Sequence, residues 1–108
     1  MISVRLFKLK SGAIYGFSVK NHGSGAVCAA VSILTQNTVN SIEKFADGEF
    51  LFDYNKSGGF IRFEHIPLKN SEESRDAALL LKSMALGFEG IRDEYKNEIN
   101  IKTEVKDD

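Results

Sequence analysis

Ala13-Ile14-Tyr15-Gly16-Phe17-Ser18-Val19-Lys20-Asn21-His22-Gly23-Ser24-Gly25-Ala26-Val27-Cys28-Ala29-Ala30-Val31 holds a change of backbone period, and that change decides the fold. From about Ala13 to Val19 the chain mixes Ile14 with Tyr15, Phe17 and Val19, the composition of a strand. The pattern then dissolves into Lys20-Asn21-His22-Gly23-Ser24-Gly25, where Gly23 and Gly25 open backbone regions closed to other residues. From Ala26 the apolar positions Val27, Val31, Leu34, Thr38, Ile42 and Phe45 recur at three- and four-residue steps, the stripe of an amphipathic helix. Ser24 or Gly25 is the expected N-cap, and Asp47-Gly48 the expected end.

On the upstream side, residues 2 to 9 alternate, with Ile2, Val4 and Leu6 on one side and Ser3 and Arg5 on the other. Lys10-Ser11-Gly12 then supplies a turn, so the chain opens as strand, turn, strand. Downstream, Phe50 to Tyr54 and Phe60 to Ile66 are short aromatic-rich runs joined by Asn55-Lys56-Ser57-Gly58-Gly59, a hairpin signature that Pro67 closes. The sets Ile61, Phe63 and Phe50, Phe52 are expected in the core, and His65 to be structural or at the surface. A second helix is expected from Asn70 or Ser71, with Glu72 and Glu73 at its positive end. Its core stripe is Ala77, Leu80, Leu81, Met84, Phe88, Ile91 and Tyr95, locally weakened by Gly87 and Gly90. A last strand alternates Ile99, Ile101 and Val105 with polar residues. The order β-β-α-β-β-α-β with short connections predicts an α+β fold of two layers. A mainly antiparallel sheet of four to five strands would carry two helices on one face, in a single domain over residues 1–108.

The composition narrows the function. Fourteen Lys and Arg against fifteen Asp and Glu give a formal net charge of -1, which argues against direct nucleic-acid binding. The single cysteine makes no internal disulfide and provides no paired-cysteine spacing for zinc, so no metal is expected. The opening Met1-Ile2-Ser3-Val4-Arg5-Leu6 lacks a basic start and a continuous apolar stretch, and no run approaches the roughly 20 residues that span a bilayer. A reducing, cytoplasmic setting without membrane attachment is the expectation.

Among side chains able to do covalent work near neutral pH, Cys28 falls in the first turn of the predicted helix, where N–H groups and the helix dipole stabilise a thiolate. The same N–H groups point at whatever bonds to the sulfur, so they suit the oxyanion of a tetrahedral intermediate. His22 precedes Cys28 by six residues, an extended reach of about 20 Å, which permits contact without showing it. Ser32 lies one turn beyond Cys28 on the same face. The pattern alone leaves other readings open. A cysteine beside Ala29, Ala30 and Val31 fits packing, a histidine in a glycine-rich loop fits solvation, and Gly23-Ser24-Gly25 before a helix fits a phosphate.

The longer stretch His22 to Gln36, and above all Val27-Cys28-Ala29-Ala30-Val31-Ser32 with Leu34-Thr35-Gln36, resembles the signature of the ribosomal-processing cysteine protease family. There a Gly-His loop precedes a Val-Cys-Ala-Ala-Val-Ser helix start. The length and both hairpins fit, so the likeness covers essentially the whole chain. It implies a cysteine endopeptidase with Cys28 as nucleophile and His22 as base, supported by Gly23, Ser24, Gly25 and Ser32, with no cofactor. It also implies a homodimer whose substrate is the N-terminal extension of a large-subunit ribosomal protein, cut after an aromatic pair. The chain departs from the family pattern in the loop: Asn21 stands where a glycine usually precedes the histidine, only five residues separate His22 from Cys28 where the family loop is longer, and Gly25 stands where an aspartate usually lies three residues before the cysteine. A non-catalytic ribosome-assembly or interaction module on the same fold is the alternative.

Overall fold

In the computed structural model, residues 1–21, 25–55 and 59–106 are described. The opening alternation becomes strand β1 (Ile2–Lys8), hairpinned to β2 (Ile14–Lys20), and the 3.6-residue stripe becomes helix α1 (Ala26–Phe45). A second hairpin, β3 (Phe50–Tyr54) and β4 (Phe60–His65), is followed by a single helical turn, α2 (Ile66–Lys69). The long helix α3 (Arg75–Glu94) and the last strand β5 (Ile99–Val105) complete the order. The five strands form one sheet in the order β3-β4-β2-β1-β5. Three pairings are antiparallel, and β5 joins β1 in parallel. The expected α+β architecture with a mainly antiparallel sheet is therefore realised.

Register explains the core. Phe52, Phe63, Phe17 and Leu6 stand in one row across the strands, and Tyr54, Ile61, Val19, Val4 and Ile101 in the next. Val4, Phe17, Val19 and Phe63 are fully buried. Burying each such side chain contributes about 1.5–3 kcal/mol. Phe63 stacks on Phe17 at 5.7 Å and meets Phe50 at a tilt at 5.4 Å, while Phe88 of α3 meets Phe17 edge-on at 6.4 Å. The helices pack on each other, with Leu34 lying where a side chain at Gly87 would collide, so the glycine that lowers helix propensity is what lets α1 and α3 approach. Gly16 acts likewise in the sheet, since a Cβ there would run into the Phe63 carbonyl oxygen of β4.

Four expectations are corrected. Ile66 is helical rather than the end of β4, because Pro67 occupies the first turn of α2, where its fixed φ and missing N–H suit a helix start. Asn70 closes that turn and Ser71 takes a φ of 63°, so α3 begins at Arg75, with Asp76 as the acidic residue of its first turn. Phe45 is exposed: a 20-residue helix extends about 30 Å, longer than the strands beneath it. Phe52 is also exposed, because β3 is an edge strand while α3 packs over β2 and β5.

The face of the sheet away from the helices holds a polar cluster. Two successive β2 residues, Tyr15 and Gly16, lie opposite Phe7 at a bulge, and Tyr15 stacks on Phe7 at 5.8 Å. The buried Glu64 carboxylate receives Lys69 at 2.7 Å and Arg62 at 3.0 Å. Burial alone would raise its pKa, but the two cations outweigh burial and hold it below the usual carboxylate value. Burial first, and then the Glu64 charge, push the Tyr15 hydroxyl upward. His65 is fully buried, as a structural histidine: Nε2 lies 2.9 Å from the Asp47 carbonyl, and Nδ1 accepts from the Leu68 N–H at 3.4 Å.

Candidate active site

The reactive-residue candidates sit where a strand becomes a helix. β2 ends at Lys20, and Asn21 takes a left-handed φ of 60° while donating its N–H to the Gly59 carbonyl at 3.1 Å. Asparagine is the residue besides glycine that most readily adopts such a φ, which explains how it stands where the family pattern has glycine. His22, Gly23 and Ser24, three of the expected site residues, lie outside the described residues.

The chain re-enters at Gly25, the N-cap of α1, with φ 96° and ψ -172°, a conformation that L side chains rarely adopt. Gly25 accepts the Ala29 N–H at 3.1 Å but offers no side-chain oxygen to the N–H groups of the first turn. Cys28 is the third residue of the helix and is half-buried. Among the described residues, no three His, Cys, Asp or Glu side chains are grouped to hold a metal ion.

Beyond Cys28, the positions Ser32, Gln36 and Asn40 succeed one another at four-residue steps and share its helix face. Together with Thr35 they form one wall of a groove of about 440 Å³. Thr35 turns its hydroxyl inward, donating toward the Val31 and Ser32 carbonyls at 2.9 and 3.1 Å. The opposite wall comes from Phe52, Tyr54 and Asn55, with Phe60 and Ile61 at the start of β4 beside the hairpin turn. Phe52 and Tyr54 are 41% and 55% exposed, with ring centroids 5.5 Å apart, so the groove presents two aromatic rings to solvent.

The structure thus places Cys28, Ser32 and Gly25 on one helix start, and adds a groove that sequence reasoning missed. Part of its signal was present, since Ser32, Gln36 and Asn40 continue from Cys28 at one helical spacing. The other part was not, because alternation marks Phe52 and Tyr54 as sharing a face without revealing that β3 is an edge.

The family model for cysteine protease Prp matches residues 1–100 of the chain. The ribosomal processing cysteine protease Prp of Bacillus subtilis (strain 168) is 31% identical over 84 residues, covering 78% of this chain and 75% of that protein. Among solved structures, the S. aureus ribosomal processing protease Prp in complex with a covalently linked product peptide superimposes with a TM-score of 0.85 at 23% identity, covering 96% of this chain and all of that one. Its complex with a substrate peptide gives 0.83 at 21%, with the same coverage. A protein of Streptococcus mutans, SMU.848, gives 0.77 at 22%, covering 98% and 99%. At these identities the structures speak for the fold, whereas the extent of the family match and the identity to the curated relative speak for descent: the chain belongs to the Prp family of cysteine proteases.

Proposed function

We propose that the chain removes the N-terminal extension of a large-subunit ribosomal protein, cutting after an aromatic pair, with Cys28 as nucleophile and His22 as general base. The observation that carries this reading is the position of Cys28 in the first turn of α1, on the helix face that continues into an aromatic-walled groove. His22 takes the thiol proton, and the thiolate attacks the carbonyl carbon of the second aromatic residue. The first-turn N–H groups, which receive no side-chain cap from Gly25, are suited to the oxyanion. Collapse of the tetrahedral intermediate breaks the C–N bond, and His22 returns its proton to the leaving amine. Water then hydrolyses the thioester and regenerates the thiol. Gly23, Ser24 and Gly25 shape the approach, and Ser32 lines the groove next to the reacting residue.

The curated relative is named for ribosomal processing, which supports a ribosomal protein as substrate, and such a substrate implies action in the cytoplasm. No helix among the described residues is long and apolar enough to cross a membrane. A homodimer belongs to the same reading, supported by the exposed Ile33 on α1 and Leu79 and Leu86 on α3. The deciding experiment is cleavage of a synthetic peptide containing two adjacent phenylalanines by wild type and by Cys28→Ser. Cleavage after the second phenylalanine, lost by a factor on the order of a thousand or more in the variant, is expected. Equal cleavage by the two proteins would remove Cys28 from the reaction.

A further inference from the structure

The two edges of the sheet are built differently. β5 lines its edge with Asn100, Lys102 and Glu104 among its apolar residues, and charge of this kind discourages pairing with another chain. The β3 edge is apolar on both faces, with Leu51 44% exposed on one side and Phe52 and Tyr54 exposed on the other. Asp53 is its one charged residue, and it contains neither lysine nor proline. An unprotected edge of this composition is costly to keep unless something pairs with it.

The hydrogen-bond pattern shows what β3 offers. Ile66 donates to the Glu49 carbonyl at 2.9 Å, and Asn55 donates to the Phe60 carbonyl at 3.0 Å. In an antiparallel pair the residues turned toward the neighbour alternate, so Glu49, Leu51, Asp53 and Asn55 face β4. The backbone N–H and C=O groups of Phe52 and Tyr54 therefore point away from β4, along the outer edge. The residues whose rings wall the groove are those whose main chain is turned outward beside it.

We propose that the substrate peptide binds as a sixth strand on the β3 edge, bonded to the main chain of Phe52 and Tyr54, with alternate side chains entering the groove between these rings and α1. This rests on the protease reading of Cys28 and adds the mode of recognition. Main-chain pairing supplies affinity without regard to sequence, while the groove selects at every second residue. Two adjacent aromatic side chains then straddle the strand: one meets Phe52 and Tyr54, and the other lies on the face that carries Leu51.

The test uses a peptide containing two adjacent phenylalanines before the cut, N-methylated in turn at each backbone nitrogen of the four residues before the cut. Loss of about tenfold in kcat/KM at alternate positions, with the intervening positions unaffected, is expected for one hydrogen bond removed at a time. Tyr54→Pro removes an outward N–H together with the ring while leaving the ladder to β4 intact, so its loss in kcat/KM should exceed that of Tyr54→Ala, which removes the ring alone. Should the proline variant not fold, amide shifts in Cys28→Ala protein on peptide titration give the same reading, with Phe52 and Tyr54 moving. Wild-type cleavage with a uniform N-methyl effect, or saturation without movement of those amides, would overturn the pairing while sparing the protease reading. Absence of wild-type cleavage with those amides still moving supports the pairing and counts against Cys28. If they move with protein concentration alone, the edge belongs to a second copy and the proposal fails.

Discussion

The Asn21 N–H donates to the Gly59 carbonyl at 3.1 Å, so the residue after β2 is fastened to the turn end of the hairpin that walls the groove. The bond holds Asn21 at a φ of 60°, immediately before His22. Asn21→Gly keeps that conformation and is expected to leave stability and turnover nearly unchanged. Asn21→Val strains it by about 1–2 kcal/mol and redirects the chain into the loop. Thermal melts and peptide turnover should separate the two variants, and equal behaviour would show that the left-handed turn does not matter to the site.

His22→Ala tests the proposed base. A general base contributes roughly 10²–10⁴-fold, so kcat should fall by that order while KM and the melting temperature stay close to wild type. A variant that retains full turnover would require another proton acceptor for Cys28.

Gly16→Ala should destabilise the protein by about 2 kcal/mol or more, because the new methyl meets backbone of β4 rather than a side chain able to turn aside. Chemical denaturation measures this directly. An unchanged midpoint would mean that β2 and β4 are farther apart than the structure places them.

The parts of the fold legible in the chain are those set by local forces. The strand and helix periods were legible because alternation and 3.6-residue spacing are written in consecutive residues, as in Val27, Val31 and Ile42. The bulge that sets Tyr15 beside Phe7, the parallel pairing of β5 with β1 and the exposure of Phe52 depend on strand order, which no local pattern encodes. Pro67 was legible as punctuation, but not as the start of α2, since a proline at a helix start and a proline in a loop differ only in how the next residues pack. For the site, the helix-start position marked Cys28 as a candidate only together with the likeness of Val27 to Ser32 to the family signature, whereas the second wall of the groove comes from residues that only the sheet brings across.

Glu64 should make stability fall in acid. Its folded pKa lies below its ordinary value of 4.5, so the unfolded chain takes up the proton first as pH drops. The contribution is complete above about 4.5 and is lost as pH falls from there through the depressed folded value. Because Lys69 and Arg62 are themselves partly exposed, about 1–2 kcal/mol is a reasonable size. Glu64→Gln should lower stability at neutral pH and flatten this acid limb. A wild-type curve flat from pH 6 to pH 3 would rule out the network as a stabilising element.

Gly25 bears on whether the aspartate of the family pattern can be restored. An aspartate at an N-cap ordinarily stabilises a helix, because its carboxylate accepts first-turn N–H groups and complements the dipole. Here the cap residue has φ 96° with extended ψ, where any side chain carries a strain of about 1–3 kcal/mol. The strain offsets the cap. The carboxylate would also occupy the N–H groups proposed to hold the oxyanion, and its charge would oppose a developing negative charge nearby. Gly25→Asp is therefore expected to lower both the melting temperature and kcat, whereas Gly25→Ala, which carries the strain without the acceptor, should lower mainly the melting temperature. Comparing kcat between the two at equal folded fraction isolates the contribution of the N–H groups. If the aspartate variant turns over faster than the alanine variant, the carboxylate assists the dyad, and the first-turn amides are not what stabilises the oxyanion.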